Sequence, residues 1–269
     1  MSKIEKQFIQ ISYMDELAEK STPLHRLHPL SKLLTSIIFI VFIVSFNRYS
    51  VTDLLPFFIF PALLIVIGEL PAGYLGKTLL IVSPFALMVG FGNIFADQQV
   101  IASHFGMKIT GGYISFASIM LKFTLSVLCV LILICTTGFY RVCGALGSLY
   151  VPDIFVNQLM FLYRYIFVLS EEAGRMFMAK DIRQCGRKTG VKIYSSIFGQ
   201  LLLRTIDRAG RMHQAMYSRG FNGNLNIEQR GGFAVKDWAF VFLWCTVFVV
   251  FKKHNITLMM GDKIMRLFS

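Results

Sequence analysis

Five stretches of this sequence are apolar over enough residues to cross a lipid bilayer, and this feature limits the possible folds most. A membrane-spanning helix needs about 20 predominantly apolar residues. Inside a bilayer the backbone N–H and C=O groups must pair within the chain, which a helix achieves. The sequence therefore predicts an all-α integral membrane protein with about five transmembrane helices, at residues 33–47, 54–68, 78–96, 113–140 and 233–251.

The composition agrees with a membrane protein and excludes several other classes. Apolar residues make up 55% of the 269 residues and charged residues 16%, against about 45–50% and about 25% in soluble domains. The 27 Lys and Arg exceed the 15 Asp and Glu, which leaves a net charge of +12. Basic residues scattered among Phe and Leu runs argue against a nucleic-acid partner. The five cysteines show no paired spacing, so no disulfide framework or metal cluster is predicted.

The order of polar and apolar segments predicts four regions. Residues 1–32 form a polar cytoplasmic N-terminal segment without the apolar core of a secretory signal. Residues 33–140 form a four-span membrane domain, and residues 97–112 within it form an outer loop of low charge. Residues 141–232 form a cytoplasmic region of coupling helices, and residues 233–269 contain the last transmembrane helix and a tail. The predicted location is the inner, or cytoplasmic, cell membrane, crossed several times.

The third region has the composition of cytoplasmic amphipathic helices. Residues 171–219 contain ten basic and four acidic residues, an excess that belongs on the cytoplasmic side of a membrane. Gly186 and Gly190 predict a break into two long helices. In the second helix Phe198 and Leu202 fall on one side. A stripe on another side consists of Arg204, Arg208, Arg211, Ala215 and Arg219.

A nine-residue pattern, Arg-x-x-x-Ala-x-x-x-Arg, occurs twice, 36 residues apart. A spacing of four residues keeps the three side chains on one narrow stripe of a helix. A small residue between two arginines lets another backbone approach, and the arginines then supply forked donors for carboxylates or carbonyls. The repeat favours a paired docking surface, and the alternative is a set of solvated or headgroup-facing charges. The two copies are Arg175, Ala179 and Arg183, then Arg211, Ala215 and Arg219, with Gly220 as a helix stop.

Two sequence motifs resemble those of a known transporter family. The sequence HQAMYSRGF at 213–221 resembles the second Ala-x-x-x-Arg-Gly signature of transmembrane (T) components of energy-coupling factor (ECF) transporters. The sequence STPLHRLHPLSKLL at 21–34 resembles the N-terminal motif of the cobalt branch, the CbiQ proteins. Two departures exist. His28 and Leu30 stand where the family usually has Asp and Arg, and residues 182–184 read Ile-Arg-Gln instead of Ala-Arg-Gly.

The resemblance implies a coupling scaffold that is not an enzyme, with no catalytic residue, no cofactor and no metal site. In this family the coupling helices contact two ATPase subunits, and each signature arginine enters a groove on one of them. The implied partners are two copies of a CbiO-like ATPase, a CbiM-like substrate-binding membrane subunit, a small CbiN-like subunit and the lipid bilayer. The implied cargo is Co²⁺. The coupling residues are Arg183 and Arg219, with Ala179, Ala215, Arg175, Arg211 and Gly220 beside them.

Two other functions stay open at this point. One is a shared T component that serves vitamin-binding subunits. The other is an integral-membrane enzyme on lipid-linked substrates, which needs a catalytic acid or base, although the acidic residues form no D-x-x-D pair. The pair His25-x-x-His28 is half of a metal site without a third ligand nearby. No G-x-x-x-x-G-K-[ST] motif occurs, so ATP hydrolysis is assigned to another chain.

Several lysines lie in or beside the apolar stretches, and their positions relative to the membrane are part of the prediction. Lys32 flanks the first stretch and is expected to reach the lipid headgroups. Lys122 lies inside the fourth stretch, either near the outer interface or against a polar cavity. Lys252 and Lys253 follow the fifth stretch, and five spans that start inside place them outside. Either this tail breaks the positive-inside rule, or residues 156–170, with Arg164 in the middle, are partly embedded in the membrane.

We predict that residues 186–190 lie in the cytoplasm, because moving the surrounding basic residues across the membrane is costly. With Lys188→Cys in a cysteine-free background, an impermeant thiol reagent is expected to leave intact cells unlabelled and to label the protein after lysis. Efficient labelling of intact cells would reverse the orientation.

Overall fold

The computed structural model describes residues 13–47, 49–96, 100–104, 107–184, 190–221, 223 and 233–253. Residues 13–18 are helical and precede eight further helical elements. These are α1 (Pro29–Val44), α2 (Val51–Ile67), α3 (Ala72–Ala96), α4 (Gly111–Thr137), α5 (Phe139–Ser148), α6 (Asp153–Gln184), α7 (Val191–Ser218) and α8 (Val235–Lys253). A 3-10 turn at Leu55–Phe58 interrupts α2 beside Pro56, where the sequence predicts a kink.

The all-α membrane fold is confirmed, and each predicted span overlaps a helix, the fourth of them two helices, α4 and the start of α5. By length and composition, Ala72–Ile94 and Gly111–Thr137 are able to cross a membrane. Helices α1 and α2 are apolar but shorter, and α8 has charged residues in its first and last turns. The count of five membrane-crossing helices therefore stays a prediction.

The predicted outer loop contains a small β-hairpin instead. Strand β1 (Val100–His104) pairs antiparallel with β2 (Met107–Thr110), and an irregularity in the register falls between Val100 and Ala102. Helix α4 then begins at Gly111, within the stretch assigned to the loop. Valine and isoleucine favour strands. The loop is predicted from the low charge of residues 97–112, and charge carries no information about this preference.

The fourth predicted span ends earlier than the apolar sequence does. Helix α4 stops at Thr137 because Gly138 has a φ of +78°, a conformation that other residues avoid. The structure forms two compact units that separate at this glycine. We call Phe139–Gln229 the long-helix unit, and Met14–Gly138 with Arg230–Ser269 the membrane unit.

Aromatic side chains fill the core of the membrane unit. Phe39 of α1, Phe60 of α2 and Phe248 of α8 are fully buried. The ring of Phe39 lies 4.6 Å from that of Phe60 and 5.3 Å from that of Phe248, measured between centroids. Aromatic pairs at such distances contribute about 0.5–1.5 kcal/mol each beyond the area they bury. Because lipid tails are themselves apolar, such packing is a main source of helix association in a bilayer.

Helices α1 and α8 lie parallel and contact each other at both ends. The buried carboxylate of Asp237, 4% exposed, accepts the N–H of His28 at 2.8 Å and the N–H of Ala234 at 2.9 Å. Both N–H groups lie at helix starts, where backbone donors lack intrahelical partners and a negative charge is favoured. At the other end, Lys252 Nζ donates to Ser45 Oγ at 2.8 Å. His28 and the last turn of α8 therefore lie at opposite ends of the membrane unit.

Lys32 and Lys122 of the membrane unit donate hydrogen bonds to backbone carbonyls. Lys32 is buried, and its Nζ donates to Thr136 O at 2.9 Å, so the expectation that it reaches the headgroups is wrong. Lys122 Nζ donates to Phe46 O at 2.6 Å, just past the last residue of α1. Carbonyls at a helix C-terminus lack intrahelical donors and attract cations. The contact of Lys122 therefore stabilises the end of α1.

We predict that Asp237→Ala lowers the thermal unfolding midpoint of the protein in mild detergent. The part-buried N–H groups of His28 and Ala234 lose their acceptor, which costs up to about 1–3 kcal/mol each. Midpoints are read from the fraction that stays monodisperse on size exclusion after heating. The exposed Lys253 of the same helix provides the control, since Lys253→Ala removes no buried partner. Equal midpoints for both variants would show that the carboxylate does not hold these helix starts.

Candidate functional site

The long-helix unit is built on an antiparallel pair of helices, α6 and α7. Tyr165 on α6 donates its hydroxyl to Met212 Sδ on α7 at 2.7 Å. Further along α6, the ring of Phe177 lies 6.1 Å from that of Tyr194. Residue numbers rise on one helix as they fall on the other, so the two helices run in opposite directions. Helix α5 packs against the first turns of α6 around the buried side chain of Val156.

A glutamate holds the middle of the pair together. Glu172 on α6 lies 3.0 Å from Arg204 Nη1 through Oε1 and 3.5 Å from Arg208 Nη1 through Oε2. The side chain of Glu172 is 20% exposed, whereas those of Arg204 and Arg208 are 60% and 44% exposed, so solvent screens both ion pairs. Arg204 and Arg208 lie on the same predicted stripe of α7 as the second copy of the repeat, but outside that copy. The structure directs them to α6, and sequence analysis missed Glu172 because periodicity does not show which helix faces a charge.

A second polar contact joins the end of α6 to the start of α7. Lys180 Nζ lies 2.9 Å from Asp181 Oδ1 and 5.2 Å from the ring centroid of Tyr194. The hydrogen bond that Lys180 donates to Asp181 raises the pKa of Lys180 above its ordinary value, so the cation is fully charged at neutral pH. The cation therefore faces an aromatic ring of the other helix.

The structure places the two copies of the repeat at opposite ends of the helix pair. The two arginines and the alanine of each copy are exposed, and so is Gly220. The first copy lies in the last turns of α6, and the second lies in the last turns of α7 and just beyond. Since α7 has 28 residues, at 1.5 Å per residue the ends of the pair are about 40 Å apart. The copies are therefore two separate surfaces of similar chemistry.

The arginines of the repeat differ from those that bind Glu172. Among the residues that the structure describes, Arg183, Arg211 and Arg219 form no ion pair. Arg175 lies 3.5 Å from Glu171 in an exposed pair one turn apart, a contact worth about 0.3–0.5 kcal/mol. These three exposed guanidinium groups therefore have no ion-pair partner among the described residues and are available to a partner protein.

The predicted helix stop at Gly220 is observed. Gly220 has a φ of +78°, and its N–H donates to Tyr217 O at 3.0 Å. The N–H of Phe221 donates to Met216 O, also at 3.0 Å. These two bonds define a Schellman motif, in which glycine provides the left-handed residue. The motif fixes Arg219 at the C-terminus of α7, where the helix dipole favours a cation.

The first copy lies beside the break between α6 and α7. Helix α6 stops at Gln184 and α7 starts at Val191, so the predicted break into two helices is confirmed. Gly186 and Lys188, which the sequence places in the turn, lie outside the described residues. Gly190 precedes α7 in an extended conformation.

The apolar side of α7 faces away from α6. Phe198 and Leu202 are each 62% exposed, and Ile206 is 60% exposed. Their spacing of four residues keeps them on one side of the helix. An exposed apolar surface of this kind is typical of an interaction site.

The histidines of the N-terminal motif form structural hydrogen bonds. His25 Nδ1 lies 2.6 Å from Thr22 Oγ1, and its Nε2 lies 3.1 Å from Leu17 O. Burial, and then the charge of Lys32, lower the pKa of His25, so its neutral form is favoured. His28 Nδ1 accepts the N–H of Leu30 at 3.2 Å at the start of α1. Within the described residues, no group of three His, Cys, Asp or Glu is placed to hold a metal ion.

The family of this chain follows from a comparison with known proteins. The family model of the cobalt transport protein CbiQ matches residues 20–230, which include the N-terminal motif and both copies of the repeat. The chain belongs to the CbiQ family of cobalt transport proteins. It is a membrane component of that family, as the resemblance of its motifs implies.

Curated relatives match shorter parts of the chain. A CbiQ protein of Rhodobacter capsulatus is 28% identical over 79 residues, 29% of this chain and 32% of that protein. A Methanocorpusculum labreanum protein named as a fused cobalt transport protein, CbiMQ, is 28% identical over 150 residues, 54% of this chain and 25% of that protein. An uncharacterized Methanocaldococcus jannaschii protein is 31% identical over 84 residues, 30% of this chain and 31% of that protein. The matches thus span about a quarter to a third of these relatives.

We predict opposite effects of two glycine substitutions on α7. Gly220→Ala forces a side chain into the left-handed region, which costs about 1 kcal/mol, although no atom lies within 4 Å of the new Cβ. Gly210→Ala lies inside the helix, also with no atom within 4 Å of the new Cβ, and gains about 0.5–1 kcal/mol of helix propensity. Hydrogen–deuterium exchange of residues 213–218 should quicken in the first variant and slow in the second. Equal exchange in both would show that Gly220 does not end the helix.

Proposed function

We propose that this chain is the T component of an ECF-type importer for Co²⁺. In this proposal it binds two copies of a CbiO-like ATPase, a CbiM-like substrate-binding membrane subunit and a small CbiN-like subunit. The chain itself performs no chemistry. It transmits the movement of the ATPases to the subunit that holds the cargo.

The observation that carries the proposal is the placement of the duplicated pattern. Two identical ATPase subunits need two docking surfaces of similar chemistry, because the same groove is presented twice. Arg183 and Arg219 lie at opposite ends of the antiparallel pair, and each follows an exposed alanine by four residues. The separation of about 40 Å, from the length of α7, leaves room for one subunit at each end.

The chemistry of the exposed arginines suits a docking role. A guanidinium group presents several N–H donors in a fixed fork that matches carboxylates and carbonyls. Ala179 and Ala215 precede these arginines by one helical turn and leave space for a partner backbone. An exposed arginine that binds nothing would add little stability to this chain, so the repeated pattern favours a partner.

The contact through Glu172 supports a role in force transmission. Because one carboxylate binds Arg204 and Arg208, α6 and α7 are joined about halfway along the pair. A displacement of either arginine end then moves both helices together. The proposed coupling step is this joint movement, driven by ATP-dependent closure of the ATPase pair.

Family membership supports cobalt as the cargo. The matching family is described as a cobalt transport protein, and the similar Rhodobacter capsulatus protein is named a cobalt transport protein as well. Purification of the tagged chain in mild detergent tests the proposal. We expect an ATPase at two copies per chain and a membrane subunit that binds Co²⁺. Vitamin-binding subunits would indicate a shared T component instead, and a lone chain that converts a lipid would indicate an enzyme.

We predict that Ala215→Leu weakens ATPase binding by about 1–3 kcal/mol, because a larger side chain overfills a tight contact. The amount of ATPase that co-purifies with the full chain measures the effect. Ala215→Ser keeps the side chain small and is expected to retain the ATPase. Equal recovery with the Leu variant would mean that this side of α7 does not contact the ATPase.

We also predict that Arg219→Ala and Arg183→Ala each reduce ATP-driven Co²⁺ uptake into proteoliposomes. Truncating one member of a desolvated charge pair costs about 2–5 kcal/mol, or about thirtyfold or more in binding. The double variant should release both ATPases and retain the substrate-binding subunit.

Lys192 provides the matched control, since it is an exposed cation on α7 outside the repeat. Lys192→Ala should change uptake by less than about fivefold, as expected for a solvated charge. Near-normal uptake in both single arginine variants would show that the repeat does not dock the ATPases.

A further inference from the structure

We propose that the membrane unit binds an anionic phospholipid in a cavity where α1 and α8 begin. The cavity has a volume of about 450 Å³, within the range of ligand pockets. Side chains from three separate segments line it: the chain before α1, the end of α2 and the start of α8. The lining residues that carry the argument are Leu24, Arg26, Leu27, Ile67, Lys236 and Asp237.

The charges of the cavity favour a phosphate group. Arg26 and Lys236 are both exposed and form no ion pair with any residue that the structure describes. Asp237 is buried, and its two oxygens accept N–H groups at the starts of α1 and α8. The negative charge of Asp237 therefore already interacts with the N-terminal ends of α1 and α8. Two cations are left for a ligand, one of them a guanidinium that can bind two phosphate oxygens at once.

The walls and the position of the cavity favour a lipid as the source of that phosphate. Leu24, Leu27 and Ile67 supply an apolar wall beside the cations. Helix α2 ends at Ile67, and α1 and α8 begin at Pro29 and Val235. The cavity thus lies where apolar helices of the unit end together, and this end reaches the level of the lipid headgroups when the helices cross the bilayer as predicted. Basic pockets between membrane helices at this level are suited to anionic headgroups. A free phosphate would need no apolar wall.

Native mass spectrometry of the purified full chain in detergent tests this site. The chain is titrated with dioleoyl-phosphatidylglycerol and, separately, with dioleoyl-phosphatidylcholine. We expect at least tenfold tighter binding of the anionic lipid. Arg26→Gln and Lys236→Gln should each weaken phosphatidylglycerol binding about fivefold, and the double variant about thirtyfold. Phosphatidylcholine binding should not change.

Two further variants separate this site from general surface charge. Lys77 is an exposed cation near the start of α3 and does not line the cavity, so Lys77→Gln should bind phosphatidylglycerol normally. Ile67→Trp fills the cavity while both cations remain, and it should lose phosphatidylglycerol binding. Normal binding by the Trp variant, or an equal loss in Lys77→Gln, would overturn the proposal.

Competition distinguishes the lipid from other anions. Glycerol 3-phosphate at the same concentration should leave phosphatidylglycerol bound, and displacement would show that the site binds a free phosphate. If the Arg26 and Lys236 variants bind the lipid normally and instead lose a partner protein during purification, the cavity is a protein-docking site and the proposal is wrong. Size exclusion shows that each variant is folded before titration.

Discussion

The carboxylate of Asp237 joins the starts of two helices whose contacting residues are 209 positions apart in the sequence. The first N–H groups of a helix have no intrahelical acceptor and need one from another part of the protein or from water. Asp237 supplies it to α1 and α8 together. This contact aligns the two helices in parallel and thereby brings Phe39 beside Phe248. The aromatic core of the membrane unit depends on that alignment.

Sequence analysis predicts the helices of this chain well because apolar runs and glycines act locally. Each apolar stretch coincides with a helix, and Gly220 ends α7 where the pattern places a stop. The pairing of helices is a different matter. Periodicity shows that a helix has two sides, but it does not show which helix covers each side. The contacts of Asp237 with His28 and of Glu172 with Arg204 therefore became visible only in the structure.

The arginines of α7 illustrate this limit within a single stripe. Arg204 and Arg219 lie on similar sides of the helix and have the same chemistry, yet their surroundings differ. Arg204 binds Glu172 and stabilises the helix pair, whereas Arg219 follows the helix and is exposed beside Gly220. Only the facing helix distinguishes an arginine that holds the scaffold from one that is available to a partner. The same holds for the lysines, since Lys32 binds a backbone carbonyl instead of a headgroup.

The parallel arrangement of α1 and α8 restricts which partners can meet. If the membrane unit lies across a bilayer, the segment with His25 and Arg26 opens to one aqueous compartment, and Lys252 and Lys253 open to the other. A water-soluble protein in either compartment then reaches only one of these two ends. A fusion or affinity tag placed beyond α8 would report on the compartment opposite to the N-terminal motif. Transport partners that contact both ends must themselves cross the membrane.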